Sequence, residues 1–124
     1  MSYDIRMAVK VAGAEDIFAD IAKPERSSPT YNLRDMFVAC MDWDYDQGIY
    51  YKVSEVYPKI ERGIYELTYN ERAYKKYNPP NGWGSTVSAL SALMSVKECI
   101  DEIENPDSWE QPITLPKDLI YMAW

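Results

Sequence analysis

The sequence predicts an α+β fold, a small antiparallel sheet of about three strands with about three helices on one face. Three patterns lead to this class: an alternation of period two near residue 3, apolar residues at helical spacing in the middle, and a short apolar run at residues 119–124. The 124 residues suit one domain, which buries roughly two thirds of the unfolded chain's surface. The expected order is β-β-α-α-α-β in a single domain, residues 1–124.

The strands are predicted as a hairpin and a later partner. Apolar residues alternate with polar or small ones from Tyr3 to Val11, which is typical of a half-buried strand. Gly13-Ala14-Glu15 supplies a turn, and Ile17 to Ala22 supplies the return strand, although this segment is also compatible with a helical turn. The run from Leu119 to Trp124 is expected to pair with the first strand.

The first helix is predicted from about Leu33 to Met41, with Asn32 as its cap. A loop then runs from Asp42 to Val53. The second helix begins near Ser54 or Tyr57 and continues to Tyr77, with Pro58 tolerated in its first turn.

The third helix is capped by Ser85 or Thr86 and ends before Asn105. Gly63, in the middle of the second helix, predicts a close approach between helices. The stripes expected to face the core are Val56, Ile60, Ile64, Leu67 and Tyr74 in the second helix, and Leu90, Leu93, Met94, Ile100 and Ile103 in the third.

The chain has no histidine, which removes histidine-based triads, general bases and metal ligands. Two cysteines without histidine cannot complete a four-ligand zinc site. Cys40 and Cys99 both lie in helical patterns, so we expect reduced, buried thiols, with a disulfide between them as the alternative. We expect neither an enzyme nor a cofactor.

The segment from Asp42 to Val53 partly resembles a calcium-binding loop. Asp42, Asp44 and Asp46 occupy its first three ligand positions, but Gln47 stands where the glycine belongs and Val53 where the bidentate glutamate belongs. Without that turn and that ligand, no metal is expected here.

Twenty acidic and thirteen basic residues give a net charge of −7 and a pI near 4.5. This field disfavours direct binding of nucleic acid. Six acids and no base lie between Glu98 and Glu110, and three more acids lie between Cys40 and Tyr51. Such runs indicate either a solvated surface or a contact surface for a basic partner.

Aromatic residues make up 14% of the chain. Trp43 and Tyr45 lie among the loop aspartates, and Trp83 stands between two glycines at the corner before the third helix. Tryptophan and tyrosine are frequent at binding hot spots, but they also complete small cores. Trp83 is therefore interpreted either as a structural plug or as a contact residue.

No apolar run approaches the roughly 20 residues of a membrane span, and no secretory signal is recognisable. The expected location is the cytoplasm of a bacterial host cell.

Three segments together resemble small proteins encoded by phages, prophages and mobile elements of Gram-positive gut bacteria. They are Pro29-Thr30-Tyr31-Asn32-Leu33 leading to Cys40 and Trp43-Asp44-Tyr45, then Tyr77-Asn78-Pro79-Pro80-Asn81-Gly82-Trp83-Gly84, and then Leu119–Trp124. The resemblance brings no catalytic residues with it. It implies an accessory protein of the kind that inhibits host defence, including anti-CRISPR proteins.

The sequence thus predicts a non-enzymatic, acidic protein-binding module that covers a basic, nucleic-acid-binding surface of a host defence effector. The alternatives are a protein that sequesters a small ligand or nucleotide, and a structural or assembly protein of a phage. The expected contact residues are Asp42, Trp43, Asp44, Tyr45, Asp46, Trp83, Glu98, Asp101, Glu102 and Glu104.

Overall fold

A computed structural model describes residues 2–13, 17–46, 48–105 and 115–124. The strands are β1 (Arg6–Lys10), β2 (Phe18–Ala22), β3 (Tyr50–Lys52) and β4 (Tyr121–Ala123). The helices are α1 (Arg34–Met41), α2 (Val53–Tyr69), α3 (Glu71–Tyr74) and α4 (Thr86–Glu104), and 3-10 turns occupy Tyr31–Leu33, Lys75–Tyr77 and Lys117–Leu119. The predicted α+β class is confirmed. Some residues on which the predictions rest lie outside the described part of the chain, namely Ala14, Glu15, Gln47, Asp107 and Glu110.

The sheet is antiparallel, with the strand order β2-β1-β4-β3. Met7 of β1 faces Ala22 of β2 on one side and Met122 of β4 on the other, so the predicted hairpin and the later partner strand are both confirmed. Strand β3 is an addition, because it lies inside the segment predicted as a loop. Its three residues are too few to show an alternating pattern.

The helices pack against the sheet face that carries Met7 and Met122, which are both fully buried. Phe37 of α1, Ile60 of α2 and Leu93 of α4 cover this face and complete the core. Burial of these apolar side chains is the main force that holds the layers together.

Gly63 lets three helices meet, as its position predicted. A Cβ atom there would lie 2.7 Å from Cδ1 of Leu93 in α4 and 2.8 Å from Cγ of Met41 in α1. Both distances are shorter than any ordinary contact, so only glycine fits at this point of α2.

Helix α2 differs from its prediction at both ends. It begins at Val53, directly after β3, so Pro58 lies in the second turn rather than the first. It ends at Tyr69, and Asn70 separates it from α3, so the prediction of one helix to Tyr77 is wrong. The side chain of Asn70 donates to Glu66 Oε2 over 2.7 Å, an interaction that holds this end.

Helix α4 has the predicted cap, since the Ser85 side chain accepts from the N–H of Ser88 and Ser88 returns the bond. One predicted core residue is wrong, because Met94 is 54% exposed. The helix instead buries small residues beside Leu93, including Ala89 and Ala92. At α1, Thr30 rather than Asn32 provides the capping oxygen, for the 3-10 turn that leads into the helix.

Candidate protein-binding site

Tyr45, expected as a contact residue, belongs to the core. Its ring is 1% exposed, and its hydroxyl lies 2.6 Å from the hydroxyl of Tyr3. The ring also packs edge-on against Trp124, with 5.5 Å between centroids. Burial, and next the hydrogen bond with Tyr3, raise the pKa of Tyr45 well above its usual range. Tyr45 is therefore not accessible to a partner.

Trp43 is half-buried because its ring also packs against other aromatic rings. Its ring lies 4.8 Å from Tyr51 and 6.1 Å from Trp124, so the segment between α1 and β3 folds its rings inward. The backbone of this segment is held in place as well, because the hydroxyl of Tyr51 accepts a hydrogen bond from the N–H of Asp46 over 2.7 Å.

The three loop aspartates remain on the surface, but without the aromatic anchors. Asp42 ends α1 in the left-handed region, with φ of 50°, and its carbonyl accepts from Lys59 over 3.1 Å. Asp44 forms an exposed ion pair with Arg34 at 3.4 Å. Within the described residues, no three His, Cys, Asp or Glu side chains are grouped closely enough to hold a metal.

Trp83 is held outward by a well-defined turn. The N–H of Gly82 donates to the carbonyl of Pro79, and the N–H of Trp83 donates to the side chain of Asn81 over 3.0 Å. Gly84 follows with φ of 114°, and a Cβ there would lie 2.8 Å from Leu33. The turn is thus fixed on Leu33 while the ring of Trp83 stays 70% exposed, which favours the contact interpretation over a plug.

The exposed side of α4 also carries apolar side chains. Val87 and Met94 are 69% and 54% exposed, and Glu98 and Glu102 follow at helical spacing on the same side. One half of this side is therefore apolar and the other half is acidic.

A long cleft, here called the α4 groove, lies between residues 21–30 and α4. The hydrogen bond from the N–H of Arg26 to Ser95 Oγ, at 2.8 Å, crosses it and divides it into two hollows. The serine hollow, about 470 Å³, is bordered by Trp83 and Ser28. The acidic hollow, about 530 Å³, is bordered by Glu98 and Glu102.

The four predicted acids of α4 fall into two groups, and the first group, Asp101 and Glu104, is neutralised by lysines. Asp101 accepts from the hydroxyl of Tyr57 at 2.6 Å and from Lys97 at 2.9 Å, and Glu104 pairs with Lys117. Lys117 also lies 4.3 Å from the ring of Tyr57, so this network ties the 3-10 turn before β4 to both long helices.

Burial alone would raise the pKa of Asp101, but the hydrogen bonds from Lys97 and Tyr57 outweigh it and lower that pKa below its usual value. Glu98 and Glu102, in contrast, have no ion-pair partner among the residues that the structure describes. Of the four predicted acids of α4, these two are the ones available to a basic partner.

Cys99 borders the acidic hollow but is not set up as a nucleophile. Burial, and then the nearby charges of Glu102 and Glu98, raise its pKa to about 11. At neutral pH the thiol is therefore protonated and unreactive. Cys40 is likewise a free, buried thiol.

An aromatic cluster on the outer face of the sheet was not foreseen. Phe18 stacks on Tyr50 with 4.1 Å between centroids and meets Tyr121 edge-on at 5.2 Å. On the same outer face of the sheet, Ala8 and Ala123 are almost fully buried. The cluster joins strands far apart in the chain, and its rings largely contact one another, so it closes this face rather than offering a binding surface.

Comparisons with known protein families, curated proteins and solved structures found no match to this chain. No helix in the described part is long and apolar enough to span a lipid bilayer. The geometry of the site is therefore the basis for a functional proposal.

Proposed function

We propose that this protein is a non-enzymatic binding module that attaches to a basic surface of another protein through Trp83 and the exposed side of α4. The observation that carries the proposal is the ring of Trp83, 70% exposed on a turn fixed by hydrogen bonds and by the contact at Gly84. An exposed tryptophan on a fixed turn, together with the exposed Val87 and Met94 of α4, has the composition of a binding hot spot.

The charge pattern supports a basic partner. Glu98 and Glu102 follow the apolar residues of α4, neither forms an ion pair among the described residues, and the chain as a whole carries −7. A surface of this kind is complementary to one that binds nucleic-acid phosphates, so the module would occlude that surface. The resemblance to phage proteins makes a host defence effector the expected partner.

Affinity capture from a Gram-positive host lysate, followed by mass spectrometry, tests the proposal. Wild type should capture a basic, nucleic-acid-binding protein, and added DNA should compete for it. Trp83→Ala should lose the capture, whereas Tyr69→Ala, which removes an equally exposed ring from α2, should retain it. Equal capture by the Trp83→Ala variant would contradict the proposal.

Charge reversal then separates the two acidic surfaces. Glu98→Lys with Glu102→Lys should weaken binding to the captured protein about tenfold or more and reduce its salt dependence. The matched control reverses Asp42, Asp44 and Asp46, which do not line either hollow. A loss confined to that triple variant would move the contact surface to the loop.

The alternative role of Trp83 is self-assembly of the protein through Trp83 and the exposed side of α4. Sedimentation velocity at several concentrations distinguishes the two, because a binding module stays monomeric without its partner, whereas an assembly protein associates as its concentration rises.

A further inference from the structure

Residues 27–30 form the wall of the serine hollow that lies opposite α4, and they are extended and hydrogen-bonded like a β-strand. The N–H of Tyr3 donates to the carbonyl of Pro29, and the N–H of Ile5 donates to that of Ser27, both at 2.8 Å. Ser2 and Thr30 add an antiparallel bridge. Residues 27–30 therefore pair on one edge with the chain that leads into β1.

Strand geometry fixes where the remaining backbone groups point. Because the carbonyls of Ser27 and Pro29 face Tyr3 and Ile5, the N–H and carbonyl of Ser28 face the other way. The N–H of Arg26 points in this second direction too, since it reaches Ser95 on α4. Ser28 thus presents a donor and an acceptor towards the groove, and neither has a hydrogen-bond partner among the residues that the structure describes.

The hollow next to Ser28 has a volume of about 470 Å³. Ser88 and Ala92 of α4, with Gly84 just before the helix, line it at intervals of four residues, so this wall carries only small side chains. Leu33, which is fully buried, lies beneath it, and the exposed ring of Trp83 stands at its rim.

We propose that the serine hollow receives an extended segment of the basic partner, which adds to the free edge of Ser28 as a β-strand. One apolar side chain of that segment packs against the exposed ring of Trp83, and a basic side chain pairs with Glu25, which borders the hollow beside Arg26. The inference rests on the proposed function, because it specifies how the same partner binds.

The variant Ser28→Pro tests the edge directly. It removes the free N–H and leaves the carbonyls of Ser27 and Pro29 in place, and it suits the fold because a residue before proline is already restricted to extended conformations. Ser28→Ala is the matched control, because it keeps the N–H. Thermal unfolding should show that both variants fold like wild type.

The probe is the acetylated, amidated peptide Lys-Val-Lys-Val-Lys, titrated by isothermal calorimetry and by amide chemical shifts. We expect binding at the serine hollow, weakened about tenfold or more by Ser28→Pro and by Trp83→Ala, and unchanged by Ser28→Ala. The same peptide with alternate backbone amides methylated should bind equally weakly to wild type. Equal binding of the plain peptide by Ser28→Pro and wild type would overturn strand addition.

The captured partner separates this inference from the proposed function. If Ser28→Pro still captures the partner while Trp83→Ala does not, the module binds as proposed but without strand addition. If both variants capture it fully, both proposals fail. A helix-stapled version of the peptide that binds more tightly than the plain one would also overturn the extended mode.

Discussion

The loop of residues 42–46 and the turn of residues 79–84 both place aromatic residues in a connection next to a helix, yet their rings differ in exposure. Tyr45 is 1% exposed and Trp83 is 70% exposed. In the loop, Tyr3 supplies a hydroxyl partner and Trp124 a packing surface. At the turn, the backbone rather than the ring contacts the core, through Gly84 on Leu33.

The difference teaches that aromatic density along the chain does not determine exposure. What decides it is whether a distant segment provides both apolar cover and a partner for the polar tip.

The largest contrast concerns truncation of the two rings. Tyr45→Ala should lower the free energy of unfolding by about 3–5 kcal/mol, because it leaves a cavity in the core, whereas Trp83→Ala should change it by less than about 0.5 kcal/mol. Urea denaturation followed by circular dichroism measures both. A Trp83→Ala variant as unstable as Tyr45→Ala would show that Trp83 is a plug after all.

The second contrast concerns the glycines that shape each region. Gly84→Ala should cost about 2–4 kcal/mol, because its backbone strain adds to the overlap of the new Cβ with Leu33. Gly48→Ala introduces similar backbone strain, because Gly48 has φ of 76°, but no atom of the described residues lies within 4 Å of the new Cβ. This variant should therefore lose only about 1 kcal/mol of stability. Thermal melts of both variants should rank them in this order, and the reverse order would contradict the close seating of the Trp83 turn.

A smaller change isolates the polar tip of Tyr45. Tyr45→Phe keeps the ring but leaves the Tyr3 hydroxyl without its partner, at a cost of about 1–2 kcal/mol. Tyr69→Phe, at an exposed position, is the control and should be neutral within about 0.5 kcal/mol. Equal stability of the two variants in urea would mean that the Tyr3–Tyr45 bond contributes nothing.

The smallest effect separates an acid of α4 from an acid of the loop. Because the pKa of Asp101 is lowered by folding, its contribution to stability is full above the unfolded value near 4 and is lost as the pH falls through the folded value. Asp101→Asn should therefore cost about 1 kcal/mol at pH 7 and less towards pH 2, since the site is partly exposed to solvent. Asp44→Asn, at a side chain that is 87% exposed, is the control and should change stability at pH 7 by less than about 0.5 kcal/mol. Denaturation curves at several pH values test the pair.

Regular patterns in the sequence predicted the parts of the fold that local chemistry determines. The cap at Ser85, the hairpin and the glycine contact at Gly63 all follow from single residues or short periods. Strand β3 could not be predicted, because it depends on pairing with the distant strand β4, and nothing in the apolar pattern marked the break at Asn70.

The site shows the same division. The exposure of Trp83 could be suspected from its two flanking glycines, and the acids of α4 from their spacing. The pairing of Asp101 with Lys97 and Tyr57 could not be read from charge counts, and neither could the free backbone of Ser28, which follows from pairing with residues 3–5.

The close contact at Gly63 bears on what binding would cost. Leu93 of α4 and Met41 of α1 both pack against the bare backbone of α2 there, so the three helices are closely joined. The backbone of α4 is consequently ordered before any encounter. Association through its exposed side would then lose little backbone entropy.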